Sequence, residues 1–463
     1  MIRPAALVFA AMALCVAACS PGSGQASPAG SLGSGQASPA GSFSTASVGS
    51  AFVSALARGD FAAAEGMENG QMRTAAPAAQ LSSIWQGFVG QYGAFDSVGA
   101  ASTASDPPYT IAIVSTQFAN YLVGLRVTVD ISGLVAGLFV ASAVAAGPSA
   151  SGAPASYVRP GSFTETDVTV GAAPWSLPGT LTMPTGPGPF PAVVLVAGSG
   201  PEDRDESYGP NKPFQDLAWG LASDGIAVLR YDKRTLVYAK QMATDESGLT
   251  VRQETTDDAV AAIALLRGTA KVDPGRVFLV GHSLGAYLAP RIAAQVPGQL
   301  RGLALLEAPS TPMPELLLAQ ERYLATLQSP DPGASDQLAT LAAQVALAES
   351  ASLSPSTPAS ELPLGIPASY WLDLRSYDPL TTAAGLSLPM FFSQGGRDYQ
   401  VPPSELQGWE QALVGRPNVT FKAYPSMDHL LLDGSGPATP AEYSAPRHVD
   451  PQLVAYLGSW IQQ

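Results

Sequence analysis

A serine in the setting of a catalytic nucleophile lies in GHSLG, residues 281–285, the only G-x-S-x-G pattern of the chain. The strand-like run VFLV precedes this pattern, and the helix-like run LGAYLAPRIAAQV overlaps its end. A turn from a strand into a helix places such a serine on a tight corner, where Gly281 and Gly285 relieve backbone crowding. Ser283 is therefore the candidate nucleophile, and a simple turn between a strand and a helix is the alternative.

A serine hydroxyl is a weak nucleophile until a base accepts its proton. The chain has three histidines, and His282 lies inside the turn itself, where its side chain should point elsewhere. His448 lies in a polar, proline-flanked stretch that is typical of a surface loop, whereas His429 directly follows the last strand-like run, in YPSMDHLLL. We predict His429 as the base, with an ordinary surface histidine as the alternative.

The base needs an acid that fixes its tautomer and stabilises the imidazolium. Asp398 lies in FFSQGGRDYQVP, residues 391–402, in a loop after an apolar run and between the nucleophile and the base in chain order. We predict Asp398 as this acid. Glu307, at the end of the run LALLE, is the first alternative, and Asp378 and Asp428 are weaker ones.

The loop AGSGPEDRDE, residues 197–206, follows the apolar run PAVVLV and invites comparison with a phosphate-binding loop. The chain lacks G-x-G-x-x-G and G-K-[ST], and the four acidic residues of the loop would repel a phosphate, so we exclude that function. A solvated turn is one interpretation of the acidic run. The other is that Arg204 and Asp203 brace the loop by pairing with nearby charge. The nearby groups are Asp232, Lys233 and Arg234.

From about residue 157 onwards, strand-like and helix-like runs alternate along the chain. The strand-like runs are FTETDVTV, GTLTMPT, PAVVLVAG, IAVLRYD, RVFLVGH, GLALLEAP, PMFFSQG and VTFKAYP. The run PAVVLVAG is continuously apolar, as expected of a central strand that is buried on both faces. This alternation predicts an α/β fold, in which a mostly parallel sheet carries helices on both faces.

This region resembles the α/β-hydrolases. The resemblance rests on GHSLG, on the acid loop GGRDYQV and on the histidine loop SMDH, which carry the nucleophile, acid and base named above. AGSGPEDRDE and RYDKR also resemble the secreted esterase-like or serine-aminopeptidase-like branch of that superfamily. Relatives there usually have HGSGP and DKRG, whereas this chain has Ala197 in place of the His and Thr235 in place of the Gly.

The resemblance gives the AGSGP loop a role in binding an oxyanion. Acyl transfer builds negative charge on a carbonyl oxygen, and N–H donors aimed at that position lower the barrier. One donor is expected to be the N–H of Leu284, directly after the nucleophile, and the other to come from the loop after the third strand. Ser199 is the expected second donor, with Gly198 and Gly200 as alternatives.

Residues 311–375 interrupt the alternation with Leu- and Ala-rich helical sequence that is broken by Pro and Gly. Such an insertion would lie above the carboxyl ends of the strands, where ligands bind in open α/β sheets. We interpret it as a helical cap. Tyr370 and Trp371, in ASYWLDL, are candidates for substrate contact, and packing of an amphipathic helix is the equal alternative.

Residues 47–147 predict a separate, small α+β domain. Helix-like spacing of apolar residues comes first, and the strand-like runs YTIAIVSTQF, NYLVGLRVTVD and GLVAGLFV follow. The order of these elements resembles the NTF2-like (DUF3887-like) domains that precede some bacterial secreted hydrolases. A structural module without a ligand is the alternative, and residues 148–156 form a linker to the hydrolase-like region, 157–463.

The N-terminus, MIRPAALVFAAMALCVAACS, has the pattern of an export signal, because a basic residue precedes an apolar run that is short for a membrane span. VAAC, residues 16–19, resembles the lipobox of bacterial lipoproteins. The resemblance implies a signal peptide over 1–18 and lipidation of Cys19, with an ordinary signal peptide as the alternative. Residues 19–46 predict a flexible Ser-, Gly- and Pro-rich tether. We therefore expect an exported envelope protein whose only membrane contact is its lipid anchor.

The composition of the chain argues against some classes of partner and cofactor. The net charge of −14 repels nucleic acids and anionic lipid surfaces, so nucleic-acid binding is not expected. Of the two cysteines, Cys15 would leave with the signal peptide and Cys19 would carry lipid. Three scattered histidines without a free cysteine do not build the usual metal sites, so we expect neither a metal nor a cofactor.

Together these residues predict a serine hydrolase that cleaves small carboxylic esters through an acyl-enzyme intermediate. A serine peptidase applies the same groups to an amide and is one alternative. A non-catalytic ligand-binding lipoprotein on a hydrolase scaffold is the other. The presence of candidates for all three catalytic side chains argues against this second alternative.

Overall fold

The computed structural model describes residues 44–106, 109–119, 121–145, 154–243, 248–327 and 332–463. The chain divides into two compact units between residues 147 and 148. The predicted signal peptide, its Cys19 and almost all of the tether lie outside the described residues, as does most of the predicted linker.

The N-terminal unit has four helices followed by a four-stranded antiparallel sheet. The helices are α1 (Thr45–Ala57), α2 (Phe61–Gly66), α3 (Gly70–Ala75) and α4 (Ala78–Tyr92). The strands, which pair in chain order, are β1 (Phe95–Asp106), β2 (Tyr109–Phe118), β3 (Tyr121–Val129) and β4 (Val135–Ala145). Strand β1 was not predicted, because its sequence FDSVGAASTASD lacks alternation of apolar and polar residues. The resemblance to NTF2-like domains stays a prediction.

The core of this unit lies between its helices and one face of its sheet. Phe52 and Leu56 of α1 and Phe118 of β2 are fully buried, and Trp85 of α4 is nearly so. The rings of Trp85 and Phe118 lie 5.6 Å apart between their centroids. Each such side chain contributes about 1.5–3 kcal/mol when it is removed from water, so these contacts hold α1 and α4 on the sheet.

The C-terminal unit is built on an eight-stranded sheet in the order β12-β11-β10-β9-β7-β8-β6-β5. Its strands are β5 (Phe163–Val170), β6 (Leu177–Pro184), β7 (Phe190–Val196), β8 (Ala227–Tyr231), β9 (Val272–His282), β10 (Gly302–Leu306), β11 (Met390–Gly395) and β12 (Val419–Tyr424). The neighbours from β12 to β8 are parallel, whereas β6 is antiparallel to both β8 and β5. The apolar strand β7 is buried because helices cover both faces of the sheet.

Successive side chains along each strand point to opposite faces of the sheet and pack in two separate apolar cores. Val194 and Leu279 lie in one core, which contains residues of α8 and α9, and Val193 and Phe278 lie in the other, with α5 and α15. This arrangement confirms the predicted α/β fold with helices on both faces. The helices are α5 (Pro213–Ser223), α6 (Arg234–Val237), α7 (Ala239–Ala243), α8 (Asp257–Arg267), α9 (Leu284–Gln295), α10 (Met313–Thr326), α11 (Pro332–Glu349), α12 (Ala368–Arg375), α13 (Pro379–Gly385), α14 (Glu405–Ala412) and α15 (Pro451–Gln462).

The insertion between β10 and β11 is helical, as the sequence predicts for residues 311–375. It contains α10, α11 and α12, and the chain enters it from the carboxyl end of β10. Parallel strands bring their carboxyl ends to one edge of the sheet, so this cap belongs to the edge where a ligand site is expected. Within the described part of the chain, no helix is both long enough and apolar enough to cross a bilayer.

Candidate active site

Ser283 occupies a strained turn between β9 and α9. Its backbone has φ 53° and ψ −117°, a conformation that residues other than glycine rarely adopt. The N–H of Ser283 donates to the carbonyl of Leu306 at 3.0 Å, which ties the turn to the end of the neighbouring strand β10. Strain of this kind persists only where the surroundings impose it, and it is common at active sites.

The two glycines of GHSLG are required by space. A Cβ atom at Gly281 would lie 2.4 Å from the carbonyl oxygen of Gly285, and one at Gly285 would lie 2.1 Å from the carbonyl oxygen of Val196. Both distances are far below van der Waals contact. The end of β7 and the start of α9 therefore approach each other as closely as glycine allows, and this brings the AGSGP loop against the nucleophile turn.

His429 and Asp398 form a buried pair at the same edge of the sheet. Asp398 follows β11 and His429 follows β12, and Asp398 Oδ2 lies 2.7 Å from His429 Nδ1. The other carboxylate oxygen, Oδ1, accepts the backbone N–H groups of Gln400 and Val401, each at 2.8 Å. The carboxylate is thus fixed by its own loop. It holds a proton on Nδ1 of the imidazole and leaves Nε2 able to accept one.

The three alternative acids make contacts other than with the imidazole of His429. Glu307, directly after β10, accepts the N–H of Gly395 at 2.7 Å and the side-chain amide of Gln394. Asp378 is exposed and caps the N-terminus of helix α13. Asp428 accepts two backbone N–H groups of its own loop, and its other oxygen lies 3.3 Å from Arg447.

Two of these acids have carboxyl groups that favour the neutral form. Burial and the nearby charge of Asp398 raise the pKa of Glu307 well above its usual range. Burial is also the main cause that raises the pKa of Asp428 to about 7, although its backbone hydrogen bonds and Arg447 oppose the shift. Burial and the charge of Asp398 therefore both favour the neutral form of Glu307 over its anion.

The other two histidines have carboxylate partners of their own. His282 Nδ1 lies 2.9 Å from Glu206 Oε1, and His282 Nε2 lies 2.8 Å from the carbonyl oxygen of His429. His448 Nδ1 lies 3.0 Å from a carboxylate oxygen of Asp216 on α5. Both ring nitrogens of His282 are thus engaged, and His429 remains the candidate base.

Two of the three candidate donors in the AGSGP loop, Gly198, Ser199 and Gly200, already have acceptors within the protein. The N–H of Gly198 donates to Glu206 Oε1 at 2.6 Å, and that of Gly200 donates to Glu254 Oε1 at 3.2 Å. The N–H of Ser199 has no hydrogen-bond acceptor among the described residues. Leu284 is the first residue of α9, and its N–H therefore has no acceptor within the helix. Ser199 and Leu284 are the two donors that the sequence predicts.

Ion pairs fix the acidic part of this loop. The guanidinium of Arg204 donates to both carboxylate oxygens of Asp232, at 2.9 and 2.8 Å. Asp203 accepts the backbone N–H groups of Asp205 and Ser207, and Asp205 in turn pairs with the buried Arg230 at 2.7 Å. Arg204 therefore braces the loop through Asp232 as predicted, Asp203 braces it through backbone N–H groups of the same run, and the alternative of a solvated turn is wrong.

A second buried ion pair, between Lys233 and Glu254, also contacts the AGSGP loop. Lys233 Nζ lies 2.6 Å from both Glu254 Oε1 and the carbonyl oxygen of Gly198. The other oxygen of Glu254 accepts the hydroxyl of Tyr370 on cap helix α12 at 2.7 Å. One carboxylate therefore joins the cap, the loop and a buried cation. Sequence reasoning missed Glu206 and Glu254 in these roles, because no local motif marks their partners.

A small apolar cavity of about 30 Å³ lies between the cap and the AGSGP loop. Tyr370 and Trp371 both line it, and each also makes a hydrogen bond that fixes its ring, to Glu254 and to the carbonyl of Ile366 respectively. Both predicted roles, substrate contact and helix packing, are compatible with this position. The cavity is lined by Ser199, Met313, Leu317, Gln320, Leu364, Ile366, Tyr370, Trp371 and Leu374.

Metal-ligating side chains do not cluster in the described ranges of the chain, where no group of three or more His, Cys, Asp or Glu residues could hold an ion.

Residues 193–445 match a family model described as the alpha/beta hydrolase family. The chain is 37% identical over 410 residues to Esterase EstD of Thermotoga maritima, and the alignment covers 89% of this chain and 93% of that protein. A solved structure of a Pyrococcus furiosus esterase is 17% identical, with a TM-score of 0.40 over 65% of this chain and 91% of that one. Est1E of Butyrivibrio proteoclasticus is 13% identical, with a TM-score of 0.40 over 64% and 99%.

Proposed function

The chain belongs to the alpha/beta hydrolase family, and we propose that it cleaves carboxylic esters through a covalent acyl-serine. The observation that carries this proposal is the 2.7 Å contact between His429 Nδ1 and Asp398 Oδ2, at the edge of the sheet where Ser283 occupies its strained turn. The 37% identity to a protein named an esterase, over most of both chains, supports an ester as the substrate.

In the first half of the reaction, Ser283 Oγ attacks the acyl carbon of the ester while His429 Nε2 accepts the hydroxyl proton. The carbonyl oxygen becomes an oxyanion, which accepts the N–H groups of Leu284 and Ser199. The bond to the leaving alkoxide then breaks, and the imidazolium of His429 gives the proton to it. An alcohol leaves, and the acyl group stays on the serine.

In the second half, water replaces the alcohol. His429 Nε2 accepts a proton from the water as its oxygen attacks the acyl carbon, and the same two N–H groups bind the second oxyanion. Collapse of this intermediate breaks the bond to Ser283 Oγ, which regains its proton from the imidazolium. Asp398 holds the imidazole in one orientation throughout and stabilises its charged form.

The cavity beside Ser199 supports a short acyl group. Its volume of about 30 Å³ is about a fifth of the roughly 150 Å³ of an apolar cavity that binds one benzene molecule, so few carbon atoms fit without movement of the cap. The surrounding side chains are almost all apolar, and this favours an unsubstituted alkyl group over a charged one. We expect acetyl and propionyl esters to be better substrates than octanoyl esters.

The test compares the full-length protein with Ser283→Ala on p-nitrophenyl esters of increasing acyl length and on aminoacyl anilides. We expect the wild type to hydrolyse short esters and the variant to lose nearly all of that rate. Equal ester rates for the two proteins would contradict the mechanism. Serine-dependent cleavage of the anilides without cleavage of the esters would show a peptidase, and no serine-dependent cleavage of either would favour a non-catalytic binding protein.

We also propose that the protein is an exported lipoprotein, on the strength of the VAAC pattern and the apolar run before it. Lipidation of Cys19 would hold the catalytic unit at a membrane surface. In cell fractionation, Cys19→Ala should move the protein from the membrane to the soluble fraction. Unchanged membrane association of that variant would refute the lipid anchor.

A further inference from the structure

A second histidine–carboxylate pair, Glu206 with His282, lies directly behind the candidate nucleophile. Glu206 Oε1 receives the N–H of Gly198 at 2.6 Å and lies 2.9 Å from His282 Nδ1, while His282 Nε2 lies 2.8 Å from the carbonyl oxygen of His429. Glu206 and His282 are both buried, at 5% and 2% exposure. The pair therefore connects the AGSGP loop, the end of β9 and the loop that carries His429.

The contacts of this pair determine how many protons it holds. The carbonyl of His429 only accepts hydrogen bonds, so His282 must carry a proton on Nε2. The contact between His282 Nδ1 and Glu206 Oε1 needs one further proton, either on the nitrogen or on the oxygen. The two contacts of His282 thus require two protons in total. The pair is either an imidazolium with a carboxylate or a neutral imidazole with a carboxylic acid.

The charges around the pair favour the ionic form. Burial acts to lower the pKa of His282, but Glu206, the carbonyl of His429 and Asp398 outweigh it, so that the pKa is raised. Burial and the charges of Glu206 and Asp203 raise the pKa of Glu202 to about 8, so this neighbour is mostly neutral near pH 7. The charge of Glu206, whose Oε1 lies 2.9 Å from His282 Nδ1, thus stabilises the imidazolium form of His282.

We propose, on the basis of the proposed esterase reaction, that Glu206 and His282 are positioning residues. They fix the AGSGP loop and the base His429 relative to Ser283. Neither side chain touches the reacting atoms in this proposal. Glu206 acts through the N–H of Gly198 and so turns the next N–H, that of Ser199, towards the ligand. His282 acts through the carbonyl of His429.

The backbone geometry supports this role. Glu206 has φ 51°, in the left-handed region, and this uncommon conformation accompanies a side chain that reaches inwards from an otherwise braced loop. A Cβ atom at Gly198 would lie 3.2 Å from Glu206 Oε1 and 3.3 Å from Ser283 Cβ. Gly198, which Glu206 holds through its N–H, is thus within contact distance of Ser283. A small displacement of Gly198 would misalign the N–H of Ser199, the next residue.

Glu206→Gln tests the proposal because glutamine keeps the size of the side chain but not its charge. A neutral His282 has one N–H, so it cannot both donate to the carbonyl of His429 and meet the amide oxygen that Gly198 needs. We expect kcat to fall about tenfold to a hundredfold, because oxyanion contacts act mainly in the transition state, with KM changed less than about threefold. The same factor should appear in the affinity for a trifluoromethyl ketone but not for the matching methyl ketone.

Asp216→Asn is the matched control, since it breaks the contact of Asp216 with His448, the same type of pair on α5. We expect this variant to keep the wild-type kcat. A second variant, His282→Gln, places an amide N–H near the position of Nε2, so it should retain more activity than His282→Ala. Equal losses in these two His282 variants would contradict a role of the donor to His429.

Imidazole NMR provides a readout that does not depend on turnover, since the chain has only three histidines. With ¹⁵N-labelled histidine at neutral pH, His282 of the wild type should show protons on both ring nitrogens, and Glu206→Gln should show one. A wild-type His282 without a proton on Nε2, or an unchanged kcat in a folded Glu206→Gln protein, would overturn the proposal. Failure of the esterase reaction itself would instead appear in the wild type and in Ser283→Ala.

Discussion

Asp398 is the residue whose contacts specify the tautomer of His429. Its Oδ1 is occupied by two backbone N–H groups, so Oδ2 is left for the imidazole at 2.7 Å. An amide at this position would present its NH₂ group either to Nδ1 or to the backbone donors. Either arrangement removes one of the contacts that hold the base with its Nε2 free.

Asp398→Asn should therefore lower kcat by roughly 10³- to 10⁴-fold while the protein stays folded. Asp378→Asn is the control, because Asp378 is one of the alternative acids in the sequence, yet it is exposed and caps helix α13. The control should cost about 1 kcal/mol of stability or less and leave kcat unchanged. Initial rates on a short p-nitrophenyl ester, with circular dichroism of each variant, distinguish the two; similar kcat values for both would argue against Asp398 as the acid.

The turn between β9 and α9 is the element on which the placement of Ser283 depends. A Cβ atom at Gly285 would lie 2.1 Å from the carbonyl oxygen of Val196, which belongs to the neighbouring central strand β7. Neither α9 nor β7 can move aside, because both are packed in the sheet cores. Gly385 is the matched comparison, since nothing lies within 4 Å of a Cβ atom built there.

Gly285→Ala should destabilise the protein by about 3 kcal/mol or more, whereas Gly385→Ala should stay within about 1 kcal/mol of the wild type. Urea denaturation followed by tryptophan fluorescence measures both. A Gly285→Ala protein with a wild-type unfolding midpoint would show that the turn is looser than the structure indicates.

In the proposed reaction, the cap helix α12 limits the length of the acyl group through Trp371, which lines the small cavity beside Ser199. Trp371→Ala removes the largest side chain of that lining and should raise the ratio of octanoyl to acetyl ester hydrolysis, as kcat/KM, by about tenfold or more. Leu372→Ala changes the next residue of the helix, which does not line the cavity, and should leave the ratio unaltered. An unchanged ratio in Trp371→Ala would place the acyl group elsewhere.

The elements could be predicted from the sequence to the extent that their signals are local. The buried strands are continuous apolar runs, and GHSLG carries its strand–turn–helix context with it, so the sheet, the cap and the three candidate catalytic residues were accessible. The partners of Glu206 were not, because His282 lies 76 residues further along the chain. No periodicity or motif encodes a contact between two loops that only the sheet brings together.

At the scale of the whole molecule, the two units differ in how they hold buried charge. In the C-terminal unit, the buried carboxylate of Glu254 pairs with Lys233. In the N-terminal unit, Glu68 is fully buried, and neither of its carboxylate oxygens has a hydrogen-bond partner among the described residues. Burial, followed by the charge of Glu65, raises the pKa of Glu68 from 4.5 to about 7, although Arg73 opposes the shift.

A raised carboxyl pKa stabilises the folded state below the unfolded value and loses that contribution as the pH rises through the folded value. The N-terminal unit should therefore become less stable between about pH 4.5 and 8. Glu68→Gln should remove about 1–3 kcal/mol of this dependence. Asp96→Asn, an exposed carboxylate of the same unit, should not. Urea unfolding of the full chain at acidic and alkaline pH measures the difference; parallel pH profiles for wild type and Glu68→Gln would contradict the assignment.

The covalent intermediate gives the most direct test of the proposed reaction. Wild-type protein mixed with a p-nitrophenyl ester and quenched in acid should gain the mass of the acyl group on the peptide that contains Ser283. Ser283→Ala should gain no adduct and release almost no p-nitrophenolate. An adduct on another residue, or p-nitrophenolate release by Ser283→Ala at the wild-type rate, would contradict the assignment of Ser283 as the nucleophile.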